Sequence, residues 1–374
     1  MSAGHILTFV RHLEGGGVER ALLRLARGWL GSGRQVTLVA GRLAGPLLAE
    51  LPPGIEALVP GATGLAALPR MVRTTRPDLI FCAGNTYTSA AAWTRMVLDG
   101  ASPPIVAKMS NTSDRADLGT VGRAANRLWL RTHGRFLDHL VAMTPDTAAL
   151  AERALAMPGR VSVIPNPPAE LIPGAPVPPL PAGRFILGVG RLVAQKRWDR
   201  LIAAMPALAD TGVSLVIVGE GDRRTALEAQ IAALGLESRV SLPGHSADPL
   251  PAMARASVVA LPSDFEGVPG VLREALSVGT PVVATDSSAA MAEIVTGRDL
   301  GTVVAGDDDA ALVAALDHWV SPYAVRPAPV PQPGHDSALR YLSLFDRLVE
   351  ERALSAAGSS PAPPAAPLAA PARP

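Results

Sequence analysis

Leu261–Asp286 reads LPSDFEGVPGVLREALSVGTPVVATD, and the order of apolar runs and breakers in it decides the fold. It opens where a short apolar run, Ser257–Leu261, ends, and a run of that length closed by Pro262 predicts a buried strand. A loop with Ser263, Asp264 and Gly267 follows, then a helix from about Pro269, because proline suits the first helical positions. Gly279 has the place of a C-terminal cap, and PVVAT is the next strand. Strand, loop, helix, strand is one parallel crossover unit. Glu266 sits at the loop tip, and Glu274 lies eight residues on, about two helical turns along one face. An acid at the C-terminal edge of a strand, beside a helix N-terminus, lies where open parallel sheets bind anionic ligands.

The same alternation runs outward in both directions. Towards the N-terminus, strands are expected at Arg184–Val189, at SLVIV (214–218) and in SRVSLPGHS (238–246), with helical patterns between them. Further upstream they recur at His5–Val10, Gln35–Ala40, Asp78–Cys82, Pro104–Met109, His139–Met143 and Arg160–Ile164. Strand alternating with helix is the signature of an α/β, doubly wound parallel sheet. The stretch IPNPPAELIPGAPVPPLPAG (164–183) can hold neither a helix nor a central strand, so it reads as a semi-rigid connector. The expected organisation is therefore a first α/β domain over 1–166, a Pro-rich linker over 167–183 and a second α/β domain over 184–335. A last helix covers 336–352, and an Ala/Pro tail over 353–374 has the composition of a disordered segment.

Of the 374 residues 48% are hydrophobic and 18% charged, which is the balance of a globular chain. A single cysteine, Cys82, excludes an internal disulfide and a multi-cysteine metal site. Asp307–Asp309 open a helical pattern, where capping and the helix dipole explain acids better than a metal does. No start resembling a signal peptide is present, and no apolar run approaches the roughly 20 residues that span a bilayer. The chain is accordingly expected to be cytoplasmic.

Charge is uneven. Residues 1–170 hold 18 Lys and Arg against 12 Asp and Glu, and the remainder hold 16 against 21. Arg123, Arg127, Arg131 and Arg135 recur every fourth residue around Leu128–Leu130. Such a stripe is either a solvated helix face or a surface for an anionic membrane, placing the protein peripherally on the inner membrane face.

Three motifs say more than their physics. P-S-x-x-E-G-x-P-x-V-L-x-E-A-L-x-x-G-x-P-V-V-A-T-D (262–286) closely resembles the signature of the retaining nucleotide-sugar glycosyltransferases of group 1, family 4. G-R-L-x-x-x-K-x-x-D (190–199) and G-G-x-E-R (16–20) are similar to two further motifs of that family. Neither Gly-rich loop fits G-x-G-x-x-G, so no nicotinamide-dinucleotide site is expected.

The resemblance implies two Rossmann-like domains facing across a cleft, the GT-B arrangement, with the terminal helix crossing back to the first domain. It implies transfer from a UDP- or GDP-sugar to a cell-surface glycan or lipid-linked acceptor, with no cofactor, no metal and no nucleic acid as partner. By the same resemblance, Arg191 and Lys196 take the diphosphate, Glu266 the donor sugar's hydroxyls and Glu274 the ribose. The backbone of Phe265, Gly267 and Val268 would cradle the sugar, Gly16 and Gly17 would face the diphosphate, and Gly244 and His245 would pack on the base. Many members carry a catalytically important histidine around 108–112. This chain has Ser110 and Asn111 there, read either as contacts to sugar or acceptor or as a helix cap or Asx-turn. A non-transferring relative, such as a nucleotide-sugar epimerase, and a silent glycan-binding module remain the alternatives. Retention of Arg191, Lys196, Glu266 and Glu274 together weighs against the silent module.

Overall fold

The computed structural model describes residues 2–13, 16–111 and 118–358. The first sheet takes its strands from β1 (His5–Val10), β2 (Gln35–Ala40), β3 (Glu56–Leu58), β4 (Leu79–Cys82), β5 (Ile105–Lys108), β6 (His139–Ala142) and β7 (Val161–Val163). Between them run α1 (Gly17–Gly31), α2 (Leu68–Thr75), α3 (Thr88–Leu98), α4 (Thr120–Arg131) and α5 (Pro145–Leu155). The second sheet is built from β8 (Phe185–Val189), β9 (Ser214–Val218), β10 (Val240–Gly244), β11 (Val258–Leu261), β12 (Val282–Thr285) and β13 (Gly301–Val304). Its helices are α6 (Trp198–Ala204), α7 (Arg224–Ala233), α8 (Leu250–Arg255), α9 (Gly270–Ser277), α10 (Met291–Ile294) and α11 (Asp309–Val320), and α12 (Ser337–Gly358) follows.

The strand orders are β3-β2-β1-β4-β5-β6-β7 and β10-β9-β8-β11-β12-β13, and every pairing is parallel. The central strands are buried along their whole length, which is why LIFC, IVAK, VVAL and VVAT read as near-continuous apolar runs. In each sheet the winding reverses once, between β1 and β4 and between β8 and β11. Ligands of open parallel sheets sit at those switch points, beyond the strands' C-terminal ends. The two-sheet α/β fold expected from the sequence is therefore the one observed.

Sequence reading missed β3. It is three residues long, lies at a sheet edge and contains Glu56, whose carboxylate accepts from the Thr37 hydroxyl at 2.8 Å. A strand that short has no periodicity to detect. The acids of 307–309 sit as helix-opening residues: Asp308 accepts from the Ala311 N–H at 2.8 Å, and Asp309 pairs with Arg200 at 2.6 Å. Cys82 is buried in β4, and burial pushes its thiol up to about 12, leaving it inert as a nucleophile.

The terminal helix α12 packs on the first sheet's side of the molecule and runs past the expected end at Arg352. Tyr341 and Phe345 join Trp29 of α1 and Phe81 of β4 in an edge-on aromatic cluster, with Trp29–Phe81 at 5.2 Å and Trp29–Phe345 at 5.3 Å. Each such pair adds about 0.5–1.5 kcal/mol beyond its buried area. Gly28 permits the approach, since a Cβ there would overlap that of Ala338.

Candidate functional site

A cavity of about 470 Å³ opens between the two switch points. From the first sheet come Arg11, Gly16, Gly17, Glu19, Tyr87, Lys108, Ser110 and Asn111; from the second come Arg191, Lys196, Glu266, Val268, Pro269, Gly270 and Glu274. Among the described residues its walls carry seven cationic side chains (Arg11, Arg20, Arg24, Lys108, Arg191, Lys196, Arg273) against three carboxylates (Glu19, Glu266, Glu274). The N-termini of α1 and α9 also reach it, through Gly16–Val18 and Pro269–Val271, and their dipoles add to the positive potential. The cavity is built for a polyanion.

On the second-sheet wall the Lys196 ammonium donates to Glu266 Oε1 at 2.7 Å, with both side chains largely buried. Three contacts fix that pair. The Glu266 N–H donates to Ser287 O at 2.7 Å, the Gln195 amide to Phe265 O at 2.7 Å, and the Asp264 N–H to Gln195 O at 3.0 Å. Arg197, held at φ +50°, donates to Asp264 Oδ1 at 2.9 Å and so ties the Lys196 loop to the Glu266 loop. α9 begins only at Gly270. Glu266 is therefore on the loop, and Glu266 and Glu274 share the cavity by loop geometry and not by spacing along one helix face.

The two sheets' loops touch across the cleft. Glu274 pairs with Arg24 of α1 at 3.5 Å, and Arg20 donates to Ser246 O at 3.0 Å. A Cβ on Gly267 would overlap Ser110 O and stand 2.8 Å from Asn111 Cα, so only glycine lets these backbones meet. Gly16 has an ordinary extended φ of −74°. Its role is close approach: an added Cβ would strike Glu19 Oε2 and lie 3.9 Å from Arg191 Nε. Gly15 and residues 112–117, from the same two loops, lie outside the described residues.

The next described helix after Ser110 and Asn111 is α4, which starts after Gly119. Asn85 holds both residues by their backbone, accepting from the Ser110 N–H at 2.7 Å and donating to Asn111 O at 3.1 Å. Gly267 and Val268 also face a smaller adjoining hollow with Met109, Thr147 and Leu150. Phe265, Gly244 and His245 line neither space. Gly244 ends β10 at φ +96°, and His245 stands at the rim with Nε2 3.4 Å from Arg20 Nη2. Burial first, and Arg20 second, hold that imidazole below its usual range, so its Nε2 is the acceptor of the Arg20 donor.

Sequence reading passed over a group on the first-sheet wall. Tyr87 donates to Glu19 Oε1 at 2.8 Å, and burial, reinforced by Glu19, pushes the phenol upward. Lys108 is 1% exposed and donates to Asn166 Oδ1 at 3.1 Å. Burial lowers its ammonium to about 8, against the pull of Glu19. The available signals were the acid of the 16–20 motif and a lysine closing the apolar run IVAK.

Residues 15–167 match the family model described as Glycosyltransferase Family 4, and residues 183–321 match that described as Glycosyl transferases group 1. The chain belongs to the group 1, family 4 glycosyltransferases. An exopolysaccharide phosphotransferase from Streptomyces coelicolor is 32% identical over 230 residues, 58% of this chain and 24% of that protein. Over 133 residues, 36% of each chain, identity is 37% to an N-acetylgalactosamine-N,N'-diacetylbacillosaminyl-diphospho-undecaprenol 4-alpha-N-acetylgalactosaminyltransferase from Campylobacter jejuni. The matches thus span 24% and 36% of those relatives' own length. Among solved structures, Anabaena HepE in complex with UDP and glucose shares the fold, with a TM-score of 0.67 at 20% identity. That match covers 95% of this chain and 99% of that one.

Proposed function

We propose that the chain transfers a sugar, with retention of configuration, from a UDP- or GDP-sugar to a surface-glycan or lipid-linked acceptor. The observation that carries the reading is the Lys196–Glu266 pair at 2.7 Å, set opposite the Ser110–Asn111 loop in a cavity dominated by cations. Arg191, Lys196 and the α9 N-terminus take the diphosphate, stabilising the charge that builds as the glycosidic bond breaks. Glu266, oriented by Lys196, meets the sugar's hydroxyls beside an oxocarbenium-like centre. The acceptor attacks from the face the diphosphate leaves, and a diphosphate oxygen accepts its proton. Glu274 holds the ribose, and its contact with Arg24 couples donor binding weakly to cleft closure. The acceptor class is supported by the Campylobacter relative, a transferase named for a diphospho-undecaprenol-linked substrate. Turnover of a panel of UDP- and GDP-sugars, followed by release of the nucleotide, tests the reading. No release from any member of the panel, with or without acceptor, would refute it.

Replacing Glu274 with Ala is expected to weaken nucleotide binding by about 1–3 kcal/mol, the loss of a charged hydrogen-bond partner. Calorimetric titration checks this, and unchanged affinity in a folded variant removes Glu274 from the site.

The acceptor side includes α4. No described helix is long and apolar enough to cross a membrane, so contact with lipid rests on a surface. The arginine stripe is shorter than its spacing suggested: α4 ends at Arg131, Arg135 lies in the following turn, and Arg123 is half-buried. Arg127, Arg131 and Arg135 are exposed beside Val121 and Leu128, and Trp129, also exposed, is stacked on Phe136 at 5.7 Å. Asp138 does not neutralise the stripe, because it is paired with Arg95. Each arginine contributes about 1 kcal/mol at an anionic surface, falling off within a Debye length. Changing Arg127, Arg131 and Arg135 to Gln should therefore abolish co-sedimentation with anionic vesicles at low salt while sparing turnover of a soluble acceptor. Equal binding by variant and wild type would remove the membrane from the reading.

A further inference from the structure

Lys108 is the most deeply buried charge-bearing side chain of the cavity wall, and its only hydrogen-bond partner among the described residues is the neutral amide of Asn166. An ammonium has three donors, and one is used. A buried cation without a counter-ion is costly, so a partner is expected to arrive with a ligand. Among the described carboxylates of the cavity, Glu266 is bonded to Lys196 and Glu274 is paired with Arg24, while Glu19, bonded to the Tyr87 hydroxyl, attracts Lys108 without a hydrogen bond to it. Burial, only partly offset by Glu19, depresses the Lys108 ammonium to about 8.

Arg11 lines the same wall and has no ion-pair partner among the described residues. It acts electrostatically on Tyr87, whose partner Glu19 in turn acts on Lys108, so the four groups form one cluster on the first-sheet side. The donor's diphosphate is already served from the other side by Arg191, Lys196 and the α9 N-terminus. We propose that Lys108, with Arg11 at the cavity mouth, forms an anion subsite for the acceptor, which therefore carries a phosphoryl or carboxylate group near the attacking hydroxyl. This rests on the transferase reading for the word acceptor, and on the wall's geometry alone for the anion site.

Octyl phosphate and octyl β-glucuronide present the two anions, and octyl β-glucoside is the neutral control. Their affinities are measured by calorimetry with wild type, Lys108→Met and Lys108→Arg, with and without UDP or GDP. The expected result is that one anionic probe binds wild type and loses about 10- to 100-fold in Lys108→Met. Lys108→Arg should recover part of the loss, and nucleotide affinity should stay within about twofold. The probe that binds tells phosphoryl from carboxylate. If neither probe is sensitive to Lys108, or if nucleotide affinity falls as far as probe affinity, the subsite is refuted, the second outcome assigning Lys108 to the donor. Should no nucleotide bind while a probe still binds through Lys108, the transferase reading falls and the anion site stands.

Discussion

Lys196→Met is expected to lower transfer by about 10²–10³-fold, the loss seen when one preorganised donor to a developing oxyanion is removed. The same change should lower the melting temperature, for a separate reason. The Glu266 side chain is 10% exposed and would be left without the ammonium 2.7 Å away. Removing one member of such a pair costs between the roughly 1 kcal/mol of a surface bridge and the roughly 3–5 kcal/mol of a fully buried one. The two effects come apart in the double variant Lys196→Met, Glu266→Gln, whose neutral amide needs no counter-ion. Its melting temperature should return towards that of wild type while turnover stays low. Turnover that recovers along with stability would mean that the pair only supports the loop, and the assignment of Lys196 to the diphosphate would be lost.

How far the sequence carried is visible residue by residue. Glu266 and Glu274 of the 262–286 motif line one cavity, although the expected geometry, a shared helix face, was not the one observed. Motif and alternation are local properties, and the crossover unit they specify is local too. What stayed hidden depends on chain segments far apart in sequence. Nothing near Lys108 announces that its ammonium meets Asn166, 58 residues on, or that Glu19 is held by Tyr87. Arg24 sits on a helix whose pattern reads as surface, and only the juxtaposition of the two sheets turns it towards Glu274. Gln195 occupies a variable position of its motif, yet its amide holds Phe265 O and with it the loop that carries Glu266. The arginine stripe differs in another way: its four-residue spacing is regular, but the helix ends at Arg131, Arg135 lies in the following turn and Arg123 is half-buried.

Gly267→Ala should separate closure from donor binding. The added Cβ would overlap Ser110 O and stand 2.7 Å from the Ser110 carbonyl carbon and 2.8 Å from Asn111 Cα. All three are backbone atoms. Asn85 holds that backbone at both residues, at 2.7 and 3.1 Å, so the loop cannot retreat without breaking two hydrogen bonds. On the other side the Gly267 carbonyl accepts from the Ser288 hydroxyl, and Glu266 is fixed through Ser287 O at 2.7 Å. The least costly response is for the two halves to stand apart by about an ångström, a displacement that can cost about 10²-fold in rate when it separates reacting groups. Arg191, Lys196 and Glu274 all lie on the second-sheet side and are untouched, so nucleotide affinity should change by no more than the loss of the Arg24–Glu274 contact allows, about 1 kcal/mol. Small-angle scattering should report a larger radius of gyration for the variant in the presence of nucleotide, with the melting temperature nearly unchanged. Turnover within threefold of wild type would show that the approach of Gly267 to Ser110 is not needed in the reacting state. A matching loss of nucleotide affinity would instead mean that the alanine deforms the donor loop itself, and closure would not be what the glycine serves.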